Sequence, residues 1–196
     1  MKQDRVVVIT GTAGGMGSVL VDRSLANDDT VVATDREEGL QTLRAKVGAN
    51  TRLVTFAADI SKEEDCARLA VVARDKAGRV EILNNCAGYF PIVLFEKMTT
   101  DQWRQTIDIN LTGNFLMTRA MLPLMKGRAW GRIVNFGLAS IFEGVPGQTH
   151  CVAAKAGTVG LTRSLARRRL WDHGKRDNTW AHGHEGREGQ LSGGCS

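Results

Sequence analysis

A run of four β-branched residues followed at once by a glycine-rich turn constrains the fold of this chain most. Val6 to Ile9 form a continuous apolar run, which is typical of a strand buried on both faces of a parallel sheet. The glycines of segment 10–17 allow a tight turn and a close approach of the backbone to a ligand. A helix is predicted from Gly15, with its free N–H groups at the turn. This order predicts a βαβ unit that binds the phosphates of a dinucleotide.

Short β-branched runs alternate with amphipathic stretches along the rest of the chain. Strands are predicted at 5–10, 30–34, 52–57, 80–84 and 132–136, and helices at 15–27, 37–47, 63–77, 100–125 and 150–169. Such alternation favours parallel strands joined by right-handed crossovers. The predicted fold class is therefore α/β, a Rossmann-type doubly wound parallel sheet in three α/β/α layers and a single domain.

We place the dinucleotide-binding Rossmann domain at 1–167 and a degenerate, poorly ordered C-terminal tail at 168–196. The last 30 residues contain six glycines and three of the four histidines, and they lack a strand-like apolar run. His182 and His184 in this tail have no fourth ligand and no scaffold, so no metal site is expected.

Composition and charge exclude several classes of function. The 196 residues are 42% hydrophobic and 24% charged, as in soluble globular proteins, and the net charge of +5 is spread along the chain. The one basic cluster, 167–169, has no interleaved aromatic residues, so no nucleic-acid partner is expected. No apolar run suits a membrane span, the N-terminus runs straight into a strand, and the four cysteines form no Cys-x-x-Cys pair. We expect a cytoplasmic protein with reduced thiols, without a signal peptide and without a membrane partner.

Asp35 ends the second predicted strand, 18 residues after Gly17. An acid at about this offset takes the adenosine ribose hydroxyls in dinucleotide-binding folds. The carboxylate repels a 2′-phosphate, so NAD is favoured over NADP, although Arg36 next to it can receive that phosphate. The alternative is a solvated Asp-Arg turn above a glycine-rich loop that holds no ligand.

Five blocks in the same order resemble the short-chain dehydrogenase/reductase family over residues 5 to about 167. The first is the Thr-Gly-x-x-x-Gly-x-Gly spacing of 10–17. The others are Asp59-Ile60, Asn85-Cys86-Ala87-Gly88, Asn110-Leu111-Thr112-Gly113, and Pro146-Gly147-Gln148 leading into 151–157. The resemblance implies an NAD(H)-dependent oxidoreductase of a small-molecule alcohol or ketone. It also implies cofactor contacts from Gly11, Thr12, Gly15, Met16, Gly17, Asp35, Arg36, Asp59, Ile60, Asn85, Ala87, Gly88 and Lys155.

The catalytic positions match this family only in part. The resemblance implies a tyrosine that moves a proton, a lysine four residues later that binds the nicotinamide ribose, a serine 13 residues before the tyrosine, and an asparagine that holds a water. Lys155 and Asn110 match, but Cys151 stands at the tyrosine position and Leu138 at the serine position. A thiol ends at its γ atom and leucine has no donor. We therefore expect activity to be impaired, since losing a general acid alone costs roughly 10²–10⁴ in rate.

Several alternatives stay open for these residues. Asn110 could serve only to brace its helix. Cys151 could be a small buried residue or a thiolate nucleophile activated by Lys155. Ser140 could replace Leu138 after a local shift, although the ungapped match at 146–148 argues against it. His150 could act as a base, although adjacent helical residues point about 100° apart.

The C-terminal segment departs most from the family pattern. Residues 176–183 correspond in register to the next strand, but Lys175, Asp177 and His182 occupy apolar or proline positions. We expect this strand to form poorly, leave the fifth strand at a sheet edge, and make the chain a C-terminally truncated or degraded member. The alternative functions are a non-catalytic NAD-binding pseudoenzyme or interaction subunit, or a remnant that does not fold stably. A homo-oligomer would pair through helices 100–125 and 150–169.

Overall fold

Five parallel strands form a single sheet in the order β3-β2-β1-β4-β5. The computed structural model describes residues 4–127 and 130–166. The strands are β1 (Val6–Thr10), β2 (Thr30–Asp35), β3 (Leu53–Ala57), β4 (Ile82–Asn85) and β5 (Arg132–Asn135). The helices are α1 (Gly15–Ala26), α2 (Glu37–Val47), α3 (Glu63–Ala77), α4 (Thr100–Ile107), α5 (Gly113–Met125), α6 (Ser140–Glu143) and α7 (Thr149–Ala166), with a 3-10 turn at Phe95–Lys97. The predicted α/β class is confirmed.

Both faces of the sheet are buried, because alternate residues of β1 point to opposite sides. Val6 and Val8 pack into one core with α3 and α5. Val7 and Ile9 pack into the other with α1 and α2. A strand that is apolar at every position therefore sits in the middle layer of three, as the first strand of the sequence predicts.

The fourth strand starts later than its apolar pattern indicates. The pattern predicts a strand at 80–84, whereas the observed β4 begins at Ile82. The Val80 N–H donates to the carbonyl of Leu124, 3.1 Å away, rather than to a neighbouring strand. The apolar side chain of Val80 is buried in the core, but its backbone belongs to the connection from α3.

The predicted helix 100–125 is helical throughout but is not one α-helix. A π-helical turn at Asp108–Thr112 separates α4 from α5. The carbonyl of Asn110 in this turn accepts hydrogen bonds from two side chains, Asn114 Nδ2 at 2.9 Å and Thr158 Oγ1 at 3.1 Å. Side-chain donors thus bind a carbonyl that an α-helix would pair within its own backbone, which corrects the prediction of a continuous helix.

Three sequence-based expectations fall outside the described residues: the nature of the tail 168–196, the strand near 176–183, and the histidines at 182 and 184. Within 4–127 and 130–166, no group of three or more His, Cys, Asp or Glu side chains could hold a metal ion. None of the helices in these ranges is long and apolar enough to cross a membrane.

Candidate active site

The site residues predicted from the sequence come together at the carboxyl edge of the sheet. The ends of β1, β2, β3 and β4 carry the turn 11–17, the pair 35–36, the pair 59–60 and the segment 85–88. Asn110, Cys151 and Lys155 reach the same region from the π-helical turn and α7. Parallel strands place their carboxyl ends at a single edge, so residues far apart in sequence share one site.

Two glycines hold the glycine-rich turn 11–17 by contact between backbones. Gly11 has a φ of 68°, and a Cβ on it would lie 2.7 Å from the backbone nitrogen of Ala87 at the end of β4. A Cβ on Gly17 would lie 2.8 Å from the carbonyl carbon of Gly11. Any side chain at either position would displace backbone, so both glycines are required by the fold of the turn itself.

Gly15 and the start of α1 have a different environment. A Cβ on Gly15 would meet no atom within 4 Å. Helix α1 has neither a side-chain cap nor an acidic residue in its first turn, whereas α2 begins with Glu37 and Glu38. The first-turn N–H groups and the positive end of the helix dipole are therefore open to an anion.

Asp35 is anchored beside this turn. Its Oδ2 accepts a hydrogen bond from the Ala13 N–H at 2.8 Å, and its Oδ1 accepts one from the Arg36 N–H at 2.8 Å. The Arg36 side chain is exposed. The carboxylate thus lies beside the glycine-rich turn, and its hydrogen bond to Ala13 ties the end of β2 to that turn.

The pair after β3 contributes mainly to structure. Asp59 Oδ1 accepts hydrogen bonds from the Ser61 N–H at 3.0 Å and from Ser61 Oγ at 2.6 Å. Ile60 is buried, and a Cβ on Gly113 would lie 2.8 Å from its Cδ1. Of this pair, only Asp59 is partly exposed at the carboxyl edge.

Two polar residues absent from the predicted site, Thr10 and Asn135, tie the middle strands together. Thr10 Oγ1 accepts hydrogen bonds from the N–H groups of Cys86 and Ala87, both at 3.0 Å. Asn135 Oδ1 accepts a hydrogen bond from Asn85 Nδ2 at 2.8 Å. The one available signal for Thr10 was a hydroxyl at the end of an otherwise apolar strand. These bonds fix the end of β4 against β1 and β5.

The Asn110 side chain braces the loop after β4. It is buried, its Nδ2 donates to the carbonyl of Tyr89 at 2.6 Å, and its Oδ1 accepts from the Tyr89 N–H at 2.9 Å. Both backbone polar groups of one residue are thereby held by one amide. The geometry favours the bracing alternative over a side chain that holds a water.

Lys155 is a buried ammonium with an unusual set of partners. Its Nζ donates to the carbonyl of Phe136 at 2.8 Å and lies 5.4 Å from the centre of the Phe90 ring. Burial lowers the pKa of Lys155, while the neighbouring thiols of Cys86 and Cys151 act in the opposite direction. An ammonium has three donors, so this arrangement leaves hydrogen-bonding capacity for a ligand.

Cys151 is buried on the same helix, one turn before Lys155. Its Sγ lies 3.8 Å from the carbonyl oxygen of Tyr89 and 4.0 Å from that of Pro91. Burial raises the pKa of the Cys151 thiol, although the charge of Lys155 opposes the shift. The thiol therefore keeps its proton at neutral pH, which argues against the activated thiolate.

Three further residues, Leu138, Ser140 and His150, occupy or adjoin the altered catalytic positions. Leu138 is half-buried in the loop after β5. Ser140 begins α6, and its Oγ is buried without a hydrogen-bond partner among the described residues. His150 is fully buried, and neither ring nitrogen has a partner within the described part of the chain. The structure therefore shows no hydrogen bond from His150 to Cys151 or Lys155.

Known proteins are similar to this chain over most of its length. Residues 5–171 match the family described as short chain dehydrogenase. A 2,3-dihydroxy-2,3-dihydro-p-cumate dehydrogenase from Pseudomonas putida is 38% identical over 168 residues, which cover 84% of this chain and 65% of that protein. An acetoacetyl-CoA reductase from Allochromatium vinosum is 32% identical over 166 residues, which cover 83% of this chain and 68% of that protein.

Solved structures agree with this placement. A short chain dehydrogenase from Bacillus anthracis superposes with a TM-score of 0.82 at 28% identity, covering 90% of this chain and 74% of that one. A dehydrogenase from Brucella melitensis, described as a glucose/ribitol dehydrogenase, gives a TM-score of 0.80 at 31% identity, covering 84% and 70%. The chain spans about two thirds of the length of the curated relatives it matches.

Proposed function

The chain belongs to the short-chain dehydrogenase family, and we propose that it is an NAD(H)-binding oxidoreductase of alcohols or ketones whose proton-transfer step is impaired. Its relatives are named as dehydrogenases and reductases, which supports the general class of reaction. The NAD preference, the small-molecule substrate and the impairment are inferred from the residues of this chain.

The uncapped start of α1 carries the proposal. The open space at Gly15 lies at the positive end of a helix without a first-turn acid, where a pyrophosphate would be held by backbone N–H groups. Asp35 is fixed beside it and would take the adenosine ribose hydroxyls. Its negative charge supports NAD rather than NADP, with Arg36 as the one feature that favours a 2′-phosphate.

The part of the site at the ends of β4 and β5, where hydride and proton transfer would take place, lacks some of the groups that the reaction needs. A bound nicotinamide supplies or accepts the hydride. Lys155 would hold the nicotinamide ribose through the donors that Phe136 leaves free. Cys151 has a raised pKa and a thiol too short to reach a substrate oxygen beyond the Tyr89 and Pro91 carbonyls. Leu138 offers no donor to that oxygen, so cofactor binding would exceed turnover.

The second candidate is a non-catalytic NAD-binding pseudoenzyme or interaction subunit. The packing of Cys151 beneath the loop 89–91 favours it, because the thiol faces backbone carbonyls. We further propose a cytoplasmic homo-oligomer that pairs through α4, α5 and α7. The aromatic side chains of Trp103 and Phe115, which are exposed on α4 and α5, support such a surface.

Titration with NADH, followed by nicotinamide fluorescence with a thermal shift alongside, tests the proposal. We expect saturable binding and a raised melting temperature. Gly15→Ala should weaken binding about tenfold without lowering the melting temperature, because its Cβ would enter the phosphate space only. Gly160→Ala also finds open space, but on α7, and should leave the affinity unchanged.

The outcomes separate the candidates. A folded wild-type protein that binds no NADH would overturn the proposal. Binding together with slow oxidation of any alcohol in a broad panel would support an impaired enzyme. Binding without any turnover would support the pseudoenzyme.

A further inference from the structure

One face of α7 carries polar side chains at helical spacing. They are separated by four, three and four residues: Cys151, Lys155, Thr158 and Thr162. The first two lie at the candidate active site, and the third is buried where α7 packs against the π-helical turn. A buried hydroxyl needs a partner, so the bonds of Thr158 indicate what it holds in place.

Thr158 and Asn114 bind the same carbonyl, that of Asn110. Thr158 Oγ1 lies 3.1 Å from this carbonyl oxygen and 3.0 Å from that of Ala154, one turn earlier on α7. Asn114 Nδ2 donates to the carbonyl of Asn110 at 2.9 Å and lies 3.5 Å from Thr158 Oγ1. All three side chains are buried. The two donors therefore join α5, the π-helical turn and α7 at one buried point.

The side chain of Asn110 extends this junction to the candidate active site. Its amide holds both backbone polar groups of Tyr89. The next residue, Phe90, places its ring centre 5.4 Å from Lys155 Nζ. Lys155 in turn lies about one helical turn before Thr158. These contacts form a closed path, which runs from Thr158 through Asn110 and the loop after β4 to Lys155 and back along α7.

The closed path fixes the Phe90 ring and the Lys155 ammonium relative to each other. A shift or rotation of α7 would have to break the bond of Thr158 to the π-helical turn. A movement of the loop after β4 would have to break the bonds between Tyr89 and the Asn110 amide. The carbonyl of Phe136 takes only one of the three ammonium donors, so it does not set the direction of Lys155 by itself.

We propose that Thr158 and Asn114 are positioning residues, which hold Lys155 and the Phe90 ring in the arrangement that receives the nicotinamide end of the cofactor. This inference rests on the proposed function. Neither residue would touch the cofactor, because both are buried between helices. Each acts through the carbonyl of Asn110, and through it on the loop that carries Phe90.

Variants of the full chain test this role. Thr158→Val and Asn114→Leu nearly keep the side-chain size and remove the donors to Asn110. Thr106→Val on α4 is the matched control. Thr106 and Thr158 are 0% and 1% exposed, and both hydroxyls lie 3.0 Å from the carbonyl one turn earlier. Both valine variants should therefore lower the melting temperature by about 2–4 °C. Thr158→Ser keeps the hydroxyl and should behave as wild type in the two measurements that follow.

The first measurement is the nicotinamide fluorescence of NADH at saturation. Thr158→Val should lose part of the enhancement, and its combination with Asn114→Leu should lose more than the sum of the two, because either donor alone still holds the carbonyl. The Kd should stay within about twofold of wild type, since the glycine-rich turn is unchanged. Thr106→Val should keep the full enhancement.

The second measurement is a pH titration of the unliganded protein by NMR of ¹³C-labelled lysine, with the Lys155 signal identified by its absence from Lys155→Met. Burial holds the pKa of Lys155 below 10.5 in wild type. The pKa should rise toward 10.5 in Thr158→Val, because a released ammonium gains access to water. The neighbouring titratable groups, the thiols of Cys86 and Cys151, are the same in every variant.

Each result decides for or against the positioning role. Changes in Thr158→Val that are missing from Thr106→Val and Thr158→Ser would support it. Equal changes in Thr158→Val and Thr106→Val would overturn it, since general loosening of the helices would then suffice. Unchanged values in the double variant, with NADH still bound, would also overturn it. A folded wild-type protein that binds no NADH would overturn the proposed function, and the Lys155 titration would then decide on the positioning role alone.

Discussion

The two ends of the carboxyl edge are both fixed by specific contacts, but they differ in the chemistry that their side chains can support. At the ends of β1 and β2, which we call the phosphate half after its proposed ligand, Gly11, Gly17 and Asp35 are fixed by backbone contacts and leave the uncapped start of α1 open. At the ends of β4 and β5, the chemical half, the braces are equally well formed. Asn110 holds Tyr89 and Lys155 donates to Phe136. One sheet edge can therefore keep its backbone geometry while its reactive side chains change.

Gly17→Ala should break the phosphate half most severely. The added Cβ would overlap the backbone of Gly11, so the turn must open, at a cost of about 3 kcal/mol or more in the free energy of unfolding. Thermal unfolding should show a markedly lower melting temperature, with NADH binding lost as well. Gly15→Ala is the internal control, and equal stability of the two variants would contradict the assigned contacts.

Leu138→Ser combined with Cys151→Tyr should sharpen the comparison by restoring donors to the chemical half. The carbonyls of Tyr89 and Pro91 lie against Cys151, so the loop 89–91 must shift to admit the ring. Turnover of an alcohol should rise about 10²-fold or more over wild type. Adding Lys155→Met should abolish the gain. Unchanged turnover with intact NADH binding would show that the donors are not the limiting defect.

Asn110→Ala should destabilise the chemical half alone. Both hydrogen bonds to the Tyr89 backbone, which are part-buried, disappear, and this should lower the free energy of unfolding by about 1–2 kcal/mol. Asn114→Ala removes a donor from a carbonyl that Thr158 also binds, so it should cost about 1 kcal/mol. Chemical denaturation measures both. An NADH affinity that falls with the stability of Asn110→Ala would show that the halves are coupled.

The smallest effect concerns the buried ammonium. Burial holds the pKa of Lys155 below its unfolded value of 10.5, so folding disfavours the charged form at neutral pH. This penalty disappears as the pH rises through the folded pKa toward the unfolded one. The stability of wild type relative to Lys155→Met should therefore increase as the pH rises from about 7 to about 10. Denaturant titrations at several pH values measure this difference. The exposed Lys126→Met variant is the control and should show no such trend. A flat difference for Lys155→Met would contradict the burial assignment.

The order of strands and helices was predictable because each element has its own pattern. Val6 to Ile9 indicate a central strand by composition alone, and the glycines of the turn indicate close backbone approach wherever they occur. The anchoring of Asp35 by Ala13 was not predictable, since a backbone N–H leaves no trace in the sequence. The same holds for the Phe136 carbonyl that binds Lys155.

The chemical half was harder to predict for a physical reason. Its contacts join loops whose residues follow no period, so nothing in the sequence places Phe90 over Lys155. The family resemblance indicated that positions 138 and 151 are altered. It did not indicate that Cys151 would lie against the carbonyls of Tyr89 and Pro91, because this contact depends on how the loop after β4 closes.

The π-helical turn at Asp108–Thr112 acts as a phase shift between two helices. A helix that continued in α geometry would differ by one residue, and a single residue corresponds to about 100° of rotation. Deleting one residue would keep the buried face of α5 toward the sheet, but regular α geometry through the same five residues would turn that face away by about 100°. Gly113 would leave its place over Ile60, and Met117 and Met121 would leave the core. The extra residue in the π-helical turn thus lets one continuous helical segment present two differently oriented faces. One face lies toward α7 and the other toward the sheet.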